Sequence, residues 1–211
     1  MATPYRLRPG DVAPVQHSST TCGSASLTVA RMLVDPVFAG WVEDGTTAGH
    51  GFLPELTDSD KRLAAAEQLV LARTNRLLGP GSRVQLPWPR TLGTPPWGAR
   101  NELEHGASRP GTRYETRWCR LGGPSTRRAH LQELIRRVTP GRPAALYVGN
   151  ATLPRHVTLL VPGEGPGQLT LYDPATGTAT ALDPEAFVAR RLRVAGWDVP
   201  WCSVRPRADQ V

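Results

Sequence analysis

The chain has 211 residues, 39% of them hydrophobic and 20% charged, with 21 Gly, 21 Pro and a formal net charge of +7. A chain of that length buries enough apolar surface to fold without a disulfide or a metal. Its three cysteines, Cys22, Cys119 and Cys202, are odd in number and include no Cys-x-x-Cys pair, which makes a poor disulfide framework and a poor zinc site.

The positive charge comes from 24 arginines against a single lysine, Lys61. They stand in short pairs such as Arg127-Arg128, Arg136-Arg137 and Arg190-Arg191, or singly in loops, which favours a solvated basic surface over nucleic-acid binding. No run approaches the roughly 18 apolar residues of a membrane span. The N-terminal MATPYRLRPGDVAPVQ lacks the apolar stretch of a secretory signal, so a cytoplasmic chain without a membrane span is expected.

In chain order, residues 1–19 read as an extended arm that ends in the polar turn His17-Ser18-Ser19-Thr20. A helix follows, capped by Thr20 or Thr21, with Ala25, Leu27, Val29, Ala30, Met32 and Leu33 at core density. Asp35-Pro36 ends it, because the residue before proline avoids the helical region. A short amphipathic piece spans Val37 to Val42, and a longer helix lies between Asp58 and Leu78, with Leu63, Ala66, Val70 and Leu77 at helical spacing and Gly79-Pro80 as its stop. Residues 80–126 are rich in proline and glycine and leave room for a short helix from Pro95 to Glu104 and a short strand from Tyr114 to Cys119. Ser125 or Thr126 caps a further helix that carries Leu131, Leu134, Ile135 and Val138.

The last third alternates like strands: Ala144 to Val148, His156 to Val161, Leu169 to Tyr172, Thr178 to Leu182 and Trp201 to Val204, with a short helix from Asp183-Pro184-Glu185 to Arg190. Helices first and a mostly antiparallel sheet afterwards give an α+β fold. The expected organisation is one domain over 1–211. Its helical half covers about 20–138, with a Pro/Trp-rich insertion at about 80–126, and its sheet half covers about 143–205.

Chemistry concentrates on four residues. Cys22, followed by Gly23, stands at a helix N-terminus, where the helix dipole and unpaired backbone N–H groups favour a thiolate. Gly23 would let a substrate backbone pass close by. Gln16, six residues upstream in the polar arm, can present a side-chain N–H above Cys22 and form a two-donor oxyanion hole with the Cys22 backbone N–H. His156 opens the apolar strand HVTLLV and is placed to exchange a proton with the thiol. Asp173 ends the next strand, LTLYDP, and the turn GEGPG between the two would bring its carboxylate beside the imidazole.

The segments QHSSTTCGSASLTVARML and RHVTLLVPGEGPGQLTLYDPATGTATALDPEAF, about a quarter of the chain, together resemble papain-like cysteine peptidases, and within them the C39-like group. The resemblance implies an α+β papain-like fold in which the helical half carries the nucleophile and packs on the sheet half. It implies Cys22 as nucleophile, His156 as base, Asp173 as orienting acid and Gln16 as oxyanion donor, acting on a peptide or protein substrate without a cofactor or a metal. The expected activity is cleavage of a peptide or amide bond through an acyl-thioester. The same acyl-enzyme resolved by an amine would make an amide instead, and a third alternative is an inactive binding module.

The remaining signals read as structure. His17, His50, His105 and His130 are expected on the surface or in packing, and His50 with Glu43 and Asp44 matches no metal-ligand spacing. LGGP and GEGPG are turns, and Trp88, Trp97 and Trp118 are expected to form a small core of their own. With Leu92 and Tyr114, those tryptophans give the 80–126 stretch enough apolar surface to dock and to shape a substrate cleft.

Overall fold

A computed structural model of the protein describes residues 5–46, 56 and 58–208. His50 lies outside the described residues. Helix α1 (Cys22–Met32) begins after Thr21, whose hydroxyl donates to Ser18 O at 2.9 Å and so closes the preceding turn without capping the helix. Asp35 then accepts Phe38 N–H at 3.0 Å and Pro36 takes the first turn of α2 (Pro36–Asp44), so the dipeptide that ends one helix starts the next. Asp58 caps α3 (Ser59–Asn75) in the same way.

Past α3 the chain makes two short 3₁₀ turns, Pro80–Ser82 and Arg90–Leu92, before α4 (Pro96–His105). Gln85 holds this stretch down. Its side-chain N–H groups donate to the carbonyls of Arg73, Thr74 and Arg76 at the end of α3, and its Oε1 accepts from Asn101 of α4 at 2.8 Å. A glutamine thus satisfies helix-end carbonyls that would otherwise lack a donor.

Strand β1 (Tyr114–Trp118) leads into α5 (Pro124–Arg137), which starts at Gly123 with Pro124 in its first turn; the expected cap at Ser125 or Thr126 is not used. The chain then runs through β2 (Ala144–Gly149), β3 (Pro154–Pro162), β4 (Leu169–Asp173), β5 (Thr178–Ala181), α6 (Pro184–Ala189) and β6 (Val199–Pro206). The strands form one antiparallel sheet in the order β1-β6-β2-β3-β4-β5. The fold is α+β, as the order of elements predicts.

Period-two alternation divides the sheet into two faces. Ala145, Tyr147, Leu159, Val161 and Tyr172 join the core built with α1, α2, α3 and α4. Ala144, Leu146, Val148, Leu160 and Leu171 meet α5 and α6 in a second core. The helices of the first 140 residues therefore do not form a single layer. Nor is the 80–126 stretch purely an insertion, because its strand β1 pairs with β6 along its whole length, from Tyr114↔Pro206 to Trp118↔Cys202.

The N-terminal arm lies against the β4–β5 turn. Backbone bonds run from Gly10 N to Ala179 O, Ala13 N to Gly177 O and Gln16 N to Pro174 O, all at 2.7–2.8 Å. Gly177 is required there: its φ is +66°, and a Cβ would stand 2.4 Å from Ala13 O.

Candidate active site

Cys22 is the first residue of α1, and the first backbone bond into that helix is Ala25 N to Thr21 O. The N–H groups of Cys22, Gly23 and Ser24 therefore precede the helical ladder. One turn further on, Ser26 Oγ donates to Val157 O at 3.2 Å and fixes the helix to the strand residue that follows His156. Two elements far apart in sequence are thereby joined beside the expected reactive pair.

His156 stands near the start of β3 and Asp173 at the end of β4, and in an antiparallel pair those ends are neighbours. The imidazole Nε2–H donates to Asp173 Oδ1 at 2.7 Å, and the ring and the Cys22 thiol line the same cavity. Asp173 Oδ1 accepts the Ala175 N–H at 2.9 Å, within the turn Pro174-Ala175-Thr176-Gly177. All three side chains are buried.

Burial alone would pull the His156 pKa down, but the bond to Asp173 and the nearby Cys22 outweigh it and push it up to about 9. Burial would likewise raise Asp173, yet the bond from His156 and the Ala175 N–H hold its carboxyl below the usual range. The imidazolium is thus the favoured form beside Cys22 at neutral pH. Burial pushes the Cys119 thiol up to about 12 and raises the Cys202 thiol as well.

Gln16 lies in the segment that leads into Cys22. Its Nε2 donates to Ser18 O at 2.7 Å, which leaves a second hydrogen on the same nitrogen. Beneath this segment the structure places a residue the sequence reading passed over. Glu67 of α3 is fully buried and accepts the His17 N–H at 3.2 Å. Burial raises its pKa against that bond. The signal was present in the sequence: Leu63, Glu67 and Leu71 share an i, i+4, i+8 row, so a carboxylate interrupts an otherwise apolar face.

A cavity of about 360 Å³ opens at Cys22 and His156. Its opposite wall is the proline- and tryptophan-rich stretch, through Trp88, Leu92, Thr94, Pro95 and Trp97, with Trp118 of β1 and Tyr147 of β2 closing the rest. Trp88 and Trp97 meet edge to face with ring centroids 5.2 Å apart, and Trp97 Nε1 donates to Leu86 O at 2.8 Å. Trp118 is 63% exposed and lines the same cavity, so the three rings wall a cleft and do not close on one another as a separate core.

Gly23 serves that wall. A Cβ there would lie 2.5 Å from Thr94 Cβ, so the missing side chain makes room for the 93–95 loop, in place of the substrate backbone expected from the sequence. Tyr147 Oη donates to Thr94 O at 3.0 Å, and Asn75 Nδ2 donates to Gly93 O at 2.8 Å, which anchors the loop from the sheet and from α3.

The other described histidines serve packing or the surface. His130 is buried, has its pKa lowered to about 4 by burial, and pairs its Nε2 with Ser203 Oγ at 2.9 Å. Among the described residues no cluster of His, Cys, Asp and Glu is arranged to hold a metal ion, and no single helix is long and apolar enough to cross a membrane.

No protein-family model matches the chain, and no curated protein matches it. Among solved structures, the chain aligns with the Pseudomonas avirulence protein AvrPphB at a TM-score of 0.48 and 13% identity, covering 93% of this chain and 97% of that one.

Proposed function

We propose that the chain is a papain-like cysteine peptidase or amidase of the C39-like type, with Cys22 as nucleophile, His156 as acid and base, Asp173 as orienting carboxylate and Gln16 as oxyanion donor. One observation carries this reading: a buried imidazole is hydrogen-bonded to a carboxylate and lines the same cavity as a thiol at a helix N-terminus. Buried ion pairs of that kind are costly to maintain for stability alone.

The chemistry follows from the geometry. Cys22 Sγ attacks the carbonyl carbon of a bound peptide, and the electron pair moves onto the carbonyl oxygen. That oxyanion is met by the Cys22 N–H, which has no helical acceptor, and by the spare Gln16 Nε2 hydrogen. His156 gives its proton to the leaving amine as the C–N bond breaks, which leaves an acyl-thioester on Cys22. Water then attacks, His156 takes its proton, and collapse of the second tetrahedral species releases the acid and the thiol. Asp173 keeps the ring oriented and its cationic form stabilised throughout.

Iodoacetamide labelling and one variant test the reading. Cys22 is expected to alkylate about tenfold or more faster than Cys119 and Cys202, whose thiols burial holds neutral. Cys22→Ala is expected to abolish peptide hydrolysis while shifting stability by no more than about 1 kcal/mol. Near-normal turnover in that variant overturns the reading.

A further inference from the structure

A second and larger cavity, about 1180 Å³, shares Trp97 with the first. Among the described residues, five arginines line it, Arg83, Arg100, Arg113, Arg142 and Arg207, against a single carboxylate, Glu104. They come from the loop after α3, from α4, and from the chain just before β1, before β2 and after β6, so only the folded chain collects them.

Glu104 already has its partners. It accepts the Tyr114 N–H at 2.8 Å, bonds Arg83, and lies 3.6 Å from Arg113 Nη1 and 4.0 Å from Arg100 Nε. Burial alone would raise its carboxyl, but the Tyr114 N–H, Arg83 and Arg100 hold it below the usual range. Arg100 Nε is buried without a hydrogen-bond acceptor. Arg142 Nη2 donates to Arg207 O at 3.2 Å, which brings two more guanidinium-bearing residues together at the same wall. Among the described lining residues, Arg83, Arg100, Arg113 and Arg207 alone outnumber the Glu104 carboxylate by three positive charges. A cleft lined by one sign of charge draws in the opposite sign.

We propose that this groove binds an acidic, extended peptide segment. Calling that segment part of the substrate rests on the peptidase reading above; the binding itself does not. Guanidiniums pair with carboxylates in bidentate fashion, which rewards Asp and Glu side chains beyond their charge. The groove also exposes Val84 at 76% and Leu86 at 71%, beside Trp97. Apolar side chains of a peptide gain from lying on those residues, whereas a line of phosphates gains nothing there. Because Trp97 borders both cavities, a peptide seated at Cys22 continues into the arginine groove, and recognition becomes bipartite: apolar at the cleft, acidic beyond Trp97.

The test is fluorescence anisotropy at low salt with three probes: a labelled peptide alternating Asp and Leu, its Asn-Leu counterpart, and a single-stranded oligonucleotide of equal charge. The Asp-Leu peptide is expected to bind about tenfold or more tighter than the Asn-Leu peptide, and to lose that advantage as salt screens the groove. Arg113→Glu combined with Arg207→Glu should remove the preference. Both residues are exposed, and Arg113→Ala with Arg207→Ala provides the same readout should the charge reversal disturb folding. Equal binding of the two peptides, or a preference that survives in both double variants, overturns the proposal. So does an oligonucleotide that binds more tightly than the acidic peptide and is released by the same substitutions. Selective acidic-peptide binding that the variants abolish supports the groove even where Cys22→Ala leaves hydrolysis intact, and in that case the peptidase reading alone falls.

Discussion

Glu67, fully buried on α3, accepts the backbone N–H of His17 at 3.2 Å, and its second oxygen lies 3.7 Å from His17 Nδ1. The segment that presents Gln16 on one side and enters Cys22 on the other is therefore clamped from beneath by one carboxylate. Glu67→Ala strands the His17 N–H and is expected to cost about 1–3 kcal/mol of stability. As a positioning residue it should also lower kcat, while Glu67→Gln, which keeps an acceptor for that N–H, recovers most of both. Chemical denaturation and steady-state kinetics on the two variants give the answer. A loss of stability with kcat unchanged would reduce Glu67 to a packing role.

The pH dependence follows from His156. Its pKa is raised from 6.5 to about 9, because the bond to Asp173 and the nearby Cys22 outweigh the opposing effect of burial. Folding therefore favours the protonated ring, and the associated stability is complete below pH 6.5 and lost as pH rises through about 9. Asp173 runs the other way. Its lowered pKa contributes stability above 3.8, and that contribution disappears as pH falls below that value. If the imidazolium form is the active one, kcat/KM declines with an alkaline limb near 9. Asp173→Asn removes the charge that sustains the ring's proton, so the limb should move to lower pH and the rate should drop on the order of 10². An alkaline limb that stays in place in Asp173→Asn would show that the carboxylate does not set the proton affinity of His156.

Gln16 is held at both ends, by its backbone N–H on Pro174 O at 2.8 Å and by its Nε2 on Ser18 O at 2.7 Å. The first bond ties the expected oxyanion donor to the turn that carries Asp173. Gln16→Ala keeps the backbone bond and removes the amide, so it isolates the side chain's part in the reaction. Loss of a preorganised oxyanion donor costs on the order of 10²–10³ in kcat. An unchanged kcat with peptide substrates would remove Gln16 from the oxyanion hole and leave the N–H groups at the start of α1 to serve alone.

Much of this arrangement was legible because the residues involved stand at element ends, where sequence speaks most clearly. Thr21-Cys22-Gly23 opens an apolar helix, His156 opens an apolar strand and Asp173 closes the next one before a proline. Antiparallel pairing of neighbouring strands then does the rest. What the sequence did not disclose depends on contacts between distant segments. The pairing of β1 with β6, the approach of Thr94 to Gly23 and the five arginines gathered around Glu104 have no local signature. The even scatter of arginine along the chain even pointed away from a charged groove. Glu67 was readable in principle, but a single acidic residue on an apolar helix row is easily taken for a solvated one.

Trp97 connects these features, and its removal separates them. Its ring packs edge to face on Trp88, its N–H is fixed to Leu86 O, and it borders both the cavity at Cys22 and the arginine groove. Trp97→Ala should open the partition and strip apolar surface from the cleft wall. A peptide with a bulky apolar residue beside the scissile bond is expected to lose roughly ten- to a hundredfold in kcat/KM, mostly through KM. A small activated ester fills little of the cavity, so its loss should be clearly smaller. The comparison of the two substrates is the measurement. Equal losses would mean that the ring supports the core through Trp88 and that its removal disturbs Cys22 itself. No loss with either would move specificity away from the 80–126 wall and into the loops of the sheet, where Arg155 and Pro154 form the other lip of the cavity.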